Sequence, residues 1–180
     1  KKDLEALGHI FFSNTDTEVI LNAYKEWGTK CFKKFNGMWS LCILDKKTQN
    51  LCMSRDRYGV KPFYYLHDNS KFLFSSEIKG LFTSNLDLKI DPNKSLRNPQ
   101  ELEGNFSTMY ENVKILPPGS FFNFNVKTFE IKKVRWWKSL ENPPNISPNK
   151  NIIEEEFVNK LISATKLRLV SDAKIATSLS

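Results

Sequence analysis

Between Met38 and Ser76 four short apolar runs alternate with polar connections, and the shortness of those connections decides how the runs can pair. Met38-Trp39-Ser40-Leu41-Cys42-Ile43-Leu44 is mostly apolar and flanked by turn residues, which predicts a strand buried on both faces. Asp45 to Asn50 is a polar turn, after which Leu51 to Ser54 returns as a second strand. Phe63 to Leu66 and Lys71 to Ser76 follow, joined by the turn His67-Asp68-Asn69-Ser70. Parallel neighbours need a crossover of about a dozen residues or more, so these strands are expected to pair antiparallel.

The flanking segments add helices and a hairpin. Thr15 with Glu18 three positions on forms a capping box. Val19, Ile20, Ala23, Tyr24 and Trp27 then recur at helical spacing, and Gly28 suits a C-terminal cap, which predicts a helix over 15–28. Cys31, Phe32 and Phe35 continue as a short amphipathic turn ending at Asn36-Gly37. Ile78 to Phe82 reads as a short helix, and Thr83 to Glu111 as a polar, irregular surface excursion. Pro117-Pro118-Gly119 is a turn. Ser120 to Val126, where Phe122 and Phe124 alternate with Asn123 and Asn125, is expected to pair with Phe129 to Trp137 across Lys127-Thr128. Asn142 to Asn151 has a linker composition. Beyond it Ile152 to Val170 predicts a second amphipathic helix, with Phe157, Leu161, Ala164 and Leu167 or Leu169 on one side, and a strand is expected after Ser171-Asp172. The whole reads as a mainly antiparallel α+β domain, a linker, and the opening helix and strand of an α/β domain.

Composition removes several classes. Aromatic residues make up 13% of the 180 residues, far from the composition of a disordered chain. No apolar stretch approaches the ~20 residues a helical bilayer span needs, so no membrane partner is expected. Lys and Arg total 27 against 20 Asp and Glu, a net +7. These cations are scattered singly or in pairs, as at Lys33-Lys34 and Lys132-Lys133, so the excess reads as a solvated surface and no nucleic acid is expected. The three cysteines, Cys31, Cys42 and Cys52, are too sparse for a disulfide scaffold and fit a reducing, cytoplasmic compartment. His9 and His67 are isolated, so no metal is assigned to this segment. Residue one is Lys with no signal peptide after it, and both ends are expected to be cuts through a longer protein.

Three segments, in this order and spacing, resemble one family. Ser13-Asn14-Thr15-Asp16-Thr17-Glu18-Val19-Ile20 resembles the S-x-T-D-T-E-V-I signature of class II glutamine amidotransferases. Asn36-Gly37-Met38-Trp39-Ser40-Leu41-Cys42-Ile43-Leu44-Asp45 resembles their G-M-F-A-F-x-I-x-D strand. Arg55-Asp56-Arg57-Tyr58-Gly59-Val60-Lys61-Pro62-Phe63-Tyr64-Tyr65, then Ser75-Ser76-Glu77-Ile78-Lys79, resembles their R-D-x-x-G-x-K-P-L-Y-Y and S-S-E-x-K motifs. Tyr110 to Gly119 is similar to the F-x-G-I-x-x-L-P-P-G segment of glutamine-hydrolysing asparagine synthetases. Arg168-Leu169-Val170-Ser171-Asp172 with Leu179-Ser180 resembles the approach to their S-G-G-L-D-S-S ATP loop. Asp172-Ala173-Lys174-Ile175-Ala176 departs there from the family's Asp-Val-Pro-x-Gly.

The resemblance implies antiparallel sheets of a four-layer αββα N-terminal-nucleophile hydrolase sandwich, here incomplete, over residues 1–141. It implies a linker over 142–151 and, over 152–180, the first helix and strand of an α/β ATP-pyrophosphatase domain. In the family an amino-terminal cysteine attacks the glutamine amide, with its own α-amine as base. That cysteine and the family's oxyanion-hole Asn-Gly pair would lie before residue 1, so this segment carries no catalytic residue and is expected to be inactive towards glutamine by itself. Asp16 matches the family aspartate that binds the glutamine α-ammonium, a charge-assisted hydrogen bond. On the residues alone it reads first as a helix-start acid favoured by the macrodipole, a role the Thr15/Glu18 capping box leaves less needed, and Ser13 paired with Asp16 is a rival cap. Leu179 and Ser180 match the entry to the ATP site, where ATP and Mg²⁺ would activate aspartate, and a homodimer is compatible with the resemblance. A relative amidating another carboxylate acceptor, such as a sugar acid, and a non-catalytic domain that kept the fold are the rival readings.

Two features imitate a catalytic site. The three cysteines are internal and offer no free amine, so they read as buried small thiols. Asn36-Gly37 imitates an oxyanion pair but reads as a turn, on the argument that Asn-Gly supplies positive φ. Arg55, Asp56, Gly59 and Pro62 read as a tight hydrogen-bonded turn that shapes the pocket floor.

Overall fold

Helix formation at the start of the chain follows from capping. The computed structural model of the protein describes residues 1–68, 70–84, 88–139, 149–171 and 173–176. Its contacts divide it into Lys1–Lys138 and Ser139–Ser180. A one-turn helix α1 (Lys2–Ala6), which the sequence does not announce, buries Leu4. Helix α2 (Asp16–Trp27) begins where the Thr15 hydroxyl accepts from the Glu18 amide at 3.4 Å, and ends at Gly28 with φ 54°. The Glu18 carboxylate returns past the cap residue, accepting from the amides of Phe12 (2.9 Å) and Ser13 (2.7 Å). Ser13 Oγ is held at 2.6 Å by Glu18, and Thr15 is the cap. A 3₁₀ stretch, Gly28–Lys33, carries the buried Cys31 and Phe32.

Among the described residues seven strands form two antiparallel sheets. Strands β1 (Ser40–Asp45), β2 (Asn50–Arg55), β6 (Ser120–Asn125) and β7 (Ile131–Arg135) make one, in the order β1-β2-β6-β7. Strands β3 (Tyr64–His67), β4 (Phe72–Ser75) and β5 (Val113–Ile115) make the other, in the order β4-β3-β5. The pairs β1–β2, β3–β4 and β6–β7 are antiparallel, as their short connections require, and the distant pairs β2–β6 and β3–β5 are antiparallel too, with Cys42 opposite Met53, Met53 opposite Phe122 and Tyr65 opposite Phe74. The turn between β3 and β4 includes Asn69, which lies outside the described residues. The β6–β7 connection closes with Phe129 N donating to Asn125 O at 2.9 Å, and Phe129 takes φ 60°.

Period-two alternation sorts the side chains of the central strands into two cores. Cys52 and Phe121 point to one side, where they meet Leu4, Ala23, Cys31, Phe32, Trp39 and Trp136 under α2. Met53, Phe122 and Phe124 point to the other, against Phe63, Tyr65 and Leu116 of the second sheet. A third cluster, Leu66, Val113 and Leu81, covers the far face of that sheet beneath the 3₁₀ stretch Ile78–Ser84. The layers therefore run helix, sheet, sheet, short helical turns. Burying a side chain such as Met53 or Phe32, both wholly inaccessible, stabilises by about 1.5–3 kcal/mol each.

Several sequence expectations are corrected. Strand β1 is not buried on both faces: it is the edge of its sheet, and Leu44 remains 50% exposed. The excursion from Thr83 to Glu111 holds two short helices, α3 (Pro92–Ser95) and α4 (Pro99–Gly104). Each has an Asx cap, Asp91 or Asn98, followed by proline at its first position.

The second unit contains helix α5 (Lys150–Arg168), capped by Asn149, whose Oδ1 accepts from Asn151 N at 3.0 Å. Lys150 and Asn151, assigned to the linker from composition, are helical, because Asn149 caps better than it connects. Linker residues 142–148 lie outside the described residues. The expected amphipathic character is not found: Phe157, Leu161, Ala164 and Leu167 share one side, but Ile152, Val158 and Ile162 lie on others, so the apolar residues ring the helix, Phe157 is 64% exposed and no residue of α5 is buried. The strand expected after Asp172 is absent from residues 173–176, which pair with no other strand among the described residues.

Candidate functional site

The turn after β2 is built by three consecutive side chains that bond to main-chain atoms. Arg55 donates from Nε to Lys61 O (2.7 Å), from Nη1 to Leu116 O (2.9 Å) and from Nη2 to Gly59 O (2.5 Å). Asp56, 1% exposed, accepts at Oδ1 from Tyr58 N and Val60 N, both at 3.1 Å. Its Oδ2 accepts from Lys61 N at 3.0 Å and Trp39 N at 3.3 Å. Arg57 donates from Nη1 to Phe35 O and from Nη2 to Lys33 O, the latter at 2.9 Å. Partial burial lowers the pKa of both arginines, with Asp56 opposing the effect at Arg55 and Tyr58 at Arg57. Gly59 sits at φ 68°, and a Cβ there would stand 2.9 Å from Arg55 Cζ. Arg55 and Gly59 border a cavity of their own with Tyr58 and Pro62, and none of Arg55, Asp56 and Arg57 lines the two cavities beside α2.

Above this turn lie two neighbouring cavities. One, of about 420 Å³, is bounded by Asp16, Val19 and Ile20 of α2 and by the irregular stretch Lys34 to Trp39. The other, of about 720 Å³, opens between the edge strands β1 and β4 and is lined by Leu41, Ile43 and Phe74. Ile20, Met38 and Trp39 line both. Trp39 is fixed from behind by stacking on Trp136 at 5.8 Å and 13° and by Phe35 edge-on at 5.5 Å.

Asp16 stands exposed at the rim of the smaller cavity. Because Thr15 caps α2, the Asp16 carboxylate is not consumed by the helix. Among the described residues it has no hydrogen bond or ion pair. Two cations share that rim, and each is engaged elsewhere. Lys34 Nζ lies 4.5 Å from the Trp27 ring centroid, and Lys1 Nζ lies 5.0 Å from that of Phe11 and 3.4 Å from Asn14 Oδ1. The carboxylate is thus a free acceptor at a cavity mouth, suited to a cationic or hydrogen-bond-donating group.

Asn36 and Gly37 face the same cavity. Neither has positive φ, so the argument that an Asn-Gly pair supplies it does not explain this turn. A Cβ on Gly37 would meet nothing within 4 Å. The three thiols are unreactive by environment: burial raises Cys31 and Cys52 to about 12 and Cys42 to about 11. Among the described residues no group of three His, Cys, Asp or Glu could hold a metal ion, and no helix is long and apolar enough to cross a membrane. Leu179 and Ser180 lie outside the described residues. The described residues nearest them, Ala173 to Ala176, are exposed and form no strand. Arg57, which holds the Lys33 and Phe35 carbonyls, is the residue that sequence reasoning passed over.

The sequence profile of the glutamine amidotransferase domain family matches residues 1–137. A putative asparagine synthetase [glutamine-hydrolyzing] 2 of Methanocaldococcus jannaschii is 39% identical over 176 residues, covering 93% of this chain and 33% of that protein. Asparagine synthetase [glutamine-hydrolyzing] 3 of Bacillus subtilis is 46% identical over 81 residues, 45% of this chain and 13% of that one. The chain thus spans about a third of the archaeal relative and a smaller share of the bacterial one. In fold it is similar to glutamine phosphoribosylpyrophosphate amidotransferase from B. subtilis, with a TM-score of 0.52 at 17% identity, over 76% of this chain and 26% of that one.

Proposed function

The chain belongs to the family of glutamine amidotransferase domains, and from that premise we propose that it is part of a glutamine-hydrolysing asparagine synthetase. In this reading Asp16 accepts hydrogen bonds from the α-ammonium of glutamine, and the wall from Lys34 to Trp39 closes the opposite side of the cavity. The observation that carries the reading is the unpaired Asp16 carboxylate at a cavity whose helix is already capped by Thr15.

The nucleophile is assigned to a cysteine outside these residues, since Cys31, Cys42 and Cys52 are held as thiols far above neutral pH. The segment alone is therefore proposed to be inactive. Aspartate as acceptor, ATP with Mg²⁺ at Leu179 and Ser180, a homodimer and a cytoplasmic location belong to the same proposal. The acceptor, the cofactors and the homodimer are drawn from the family resemblance, and the location from the sparse cysteines Cys31, Cys42 and Cys52.

Two assays test the reading. The 180-residue chain incubated with glutamine should release no ammonia above background. The full-length protein should release it, and Asp16→Asn there should raise KM for glutamine by about tenfold to a hundredfold, as for loss of a charge-assisted bond. An unchanged KM in that variant would remove Asp16 from the site.

A further inference from the structure

The wall facing Asp16 is the least regular part of the cavity. Residues 35–39 belong to no helix or strand, and among the described residues no hydrogen bond holds the backbone of Asn36, Gly37 or Met38. The stretch must therefore be fixed at its ends. At one end Asp56 holds Trp39 twice, through Oδ2 accepting from Trp39 N and through Asp56 N donating to Trp39 O at 3.0 Å. At the other end the Arg57 guanidinium spans Phe35 O and Lys33 O.

The anchor behind Arg57 is itself closed into a ring. Its Cζ lies 4.8 Å from the ring centroid of Trp137 and 5.3 Å from that of Trp136. The amides of both tryptophans donate to Gly119 O, at 2.9 Å from Trp136 and 3.0 Å from Trp137. Gly119 N in turn donates to Asp56 O at 2.8 Å. The ring runs Asp56, Gly119, Trp136 and Trp137, then Arg57, which is bonded covalently to Asp56.

We infer that Arg57 is a positioning residue: its planar fork, seated on Trp136 and Trp137, sets the Phe35–Trp39 wall against Asp16 and through it the affinity for glutamine. This rests on the reading of the Asp16 cavity as the glutamine site. Lysine keeps the charge and the aromatic seat but is a point donor on a flexible stem, and cannot hold two carbonyls in a fixed plane. The wall meets bound substrate and carries no attacking atom, so its loss should act on binding more than on turnover.

The test is Arg57→Lys, read in two ways. In the 180-residue chain, chymotrypsin should cut the Phe35–Asn36 bond about tenfold faster than in the wild type, since that scissile carbonyl is the one Arg57 holds. Cutting after the distant, exposed Phe12 serves as the internal control and should not change. In the full-length protein the KM for glutamine should rise about tenfold, with kcat within about twofold. Cleavage at Phe35 unchanged within twofold overturns the inference whatever the enzyme does. Faster cleavage with an unchanged KM, or with kcat falling as much as kcat/KM, overturns it as well, leaving Arg57 structural only. A wild-type protein that does not hydrolyse glutamine refutes the functional reading, while the cleavage arm still decides whether Arg57 fixes the wall. Should Arg57→Lys lose its cooperative thermal transition, Arg57→Gln, planar but uncharged, takes its place with the same outcomes.

Discussion

Replacing Asp56 should cost the first unit more than any surface change, and the structure sets the size. The side chain is 1% exposed and accepts four main-chain N–H bonds, from Trp39, Tyr58, Val60 and Lys61. Tyr58, Val60 and Lys61 are exposed residues, so water can replace the carboxylate at those three amides at roughly 0.5–1 kcal/mol each. Trp39 is buried, and its amide would lose its partner at about 1–3 kcal/mol. Asp56→Ala should therefore destabilise by roughly 2.5–6 kcal/mol, a large part of the 5–15 kcal/mol a domain usually has. Asp56→Asn is the sharper test. It keeps shape and one acceptor oxygen but turns an NH₂ towards two N–H donors, either the Tyr58–Val60 pair or the Trp39–Lys61 pair. It should cost roughly 2–4 kcal/mol, not the near-neutral effect of an isosteric surface change. Urea unfolding of the 180-residue chain followed by tryptophan fluorescence, with m unchanged, reads both values. A loss below about 1 kcal/mol for Asp56→Ala would refute the idea that this carboxylate organises the turn.

Two further perturbations address neighbouring devices. Gly119 has φ 60°, and a Cβ on it would stand 2.8 Å from Trp137 Cβ and 3.0 Å from Trp137 O. Gly119→Ala should destabilise by roughly 2–4 kcal/mol in the same unfolding assay, whereas Gly37→Ala, which meets nothing, should stay within about 0.5 kcal/mol. Glu18 has its pKa lowered from 4.5, first by the Phe12 amide and then by the Ser13 hydroxyl. A depressed acid contributes stability that is present above its unfolded value and is lost as pH falls through the folded one. Amide exchange at Phe12 and Ser13 should thus accelerate below about pH 4.5, relative to its intrinsic rate, and Glu18→Gln should remove that dependence.

Where local chemistry decides structure, the sequence could be read directly. The Thr15 cap and the antiparallel pairing of β1 to β4 depend on residues a few positions apart, and both are present. The Phe122–Phe124 alternation likewise marked a strand, and its phenylalanines lie in the inter-sheet core. Expectations failed where neighbours decide. The apolar composition of β1 suits a central strand, but which strand lies at a sheet edge depends on the fold of the whole unit. Val113–Ile115 is only three residues long, and its apolar-polar-apolar pattern is lost among polar turns and prolines until β3 supplies a partner. Helix α5 was read from the apolar residues on one side, but Ile152, Val158 and Ile162 place apolar groups on its other sides, so no single face is defined.

The sequence singled out Asp16 as a candidate and passed over the bonds of Arg57, and a physical difference between side-chain and main-chain recognition accounts for this. Asp16 is a free side chain whose role depends on its own chemistry, so residue type and spacing carry the signal. Arg55, Asp56 and Arg57 act almost wholly on backbone carbonyls and amides, of Lys33, Phe35, Trp39, Tyr58, Gly59, Val60, Lys61 and Leu116. Every residue presents those groups whatever its side chain, prolines lacking only the N–H. Such bonds therefore leave no trace in the identity of their partners, and a pairing of Arg57 with Phe35 O could be found only in three dimensions. The same property makes the wall tolerant. Substitutions at Lys33 or Asn36 that keep the backbone path leave the Arg57 bonds available, whereas a change at Arg57 removes two at once.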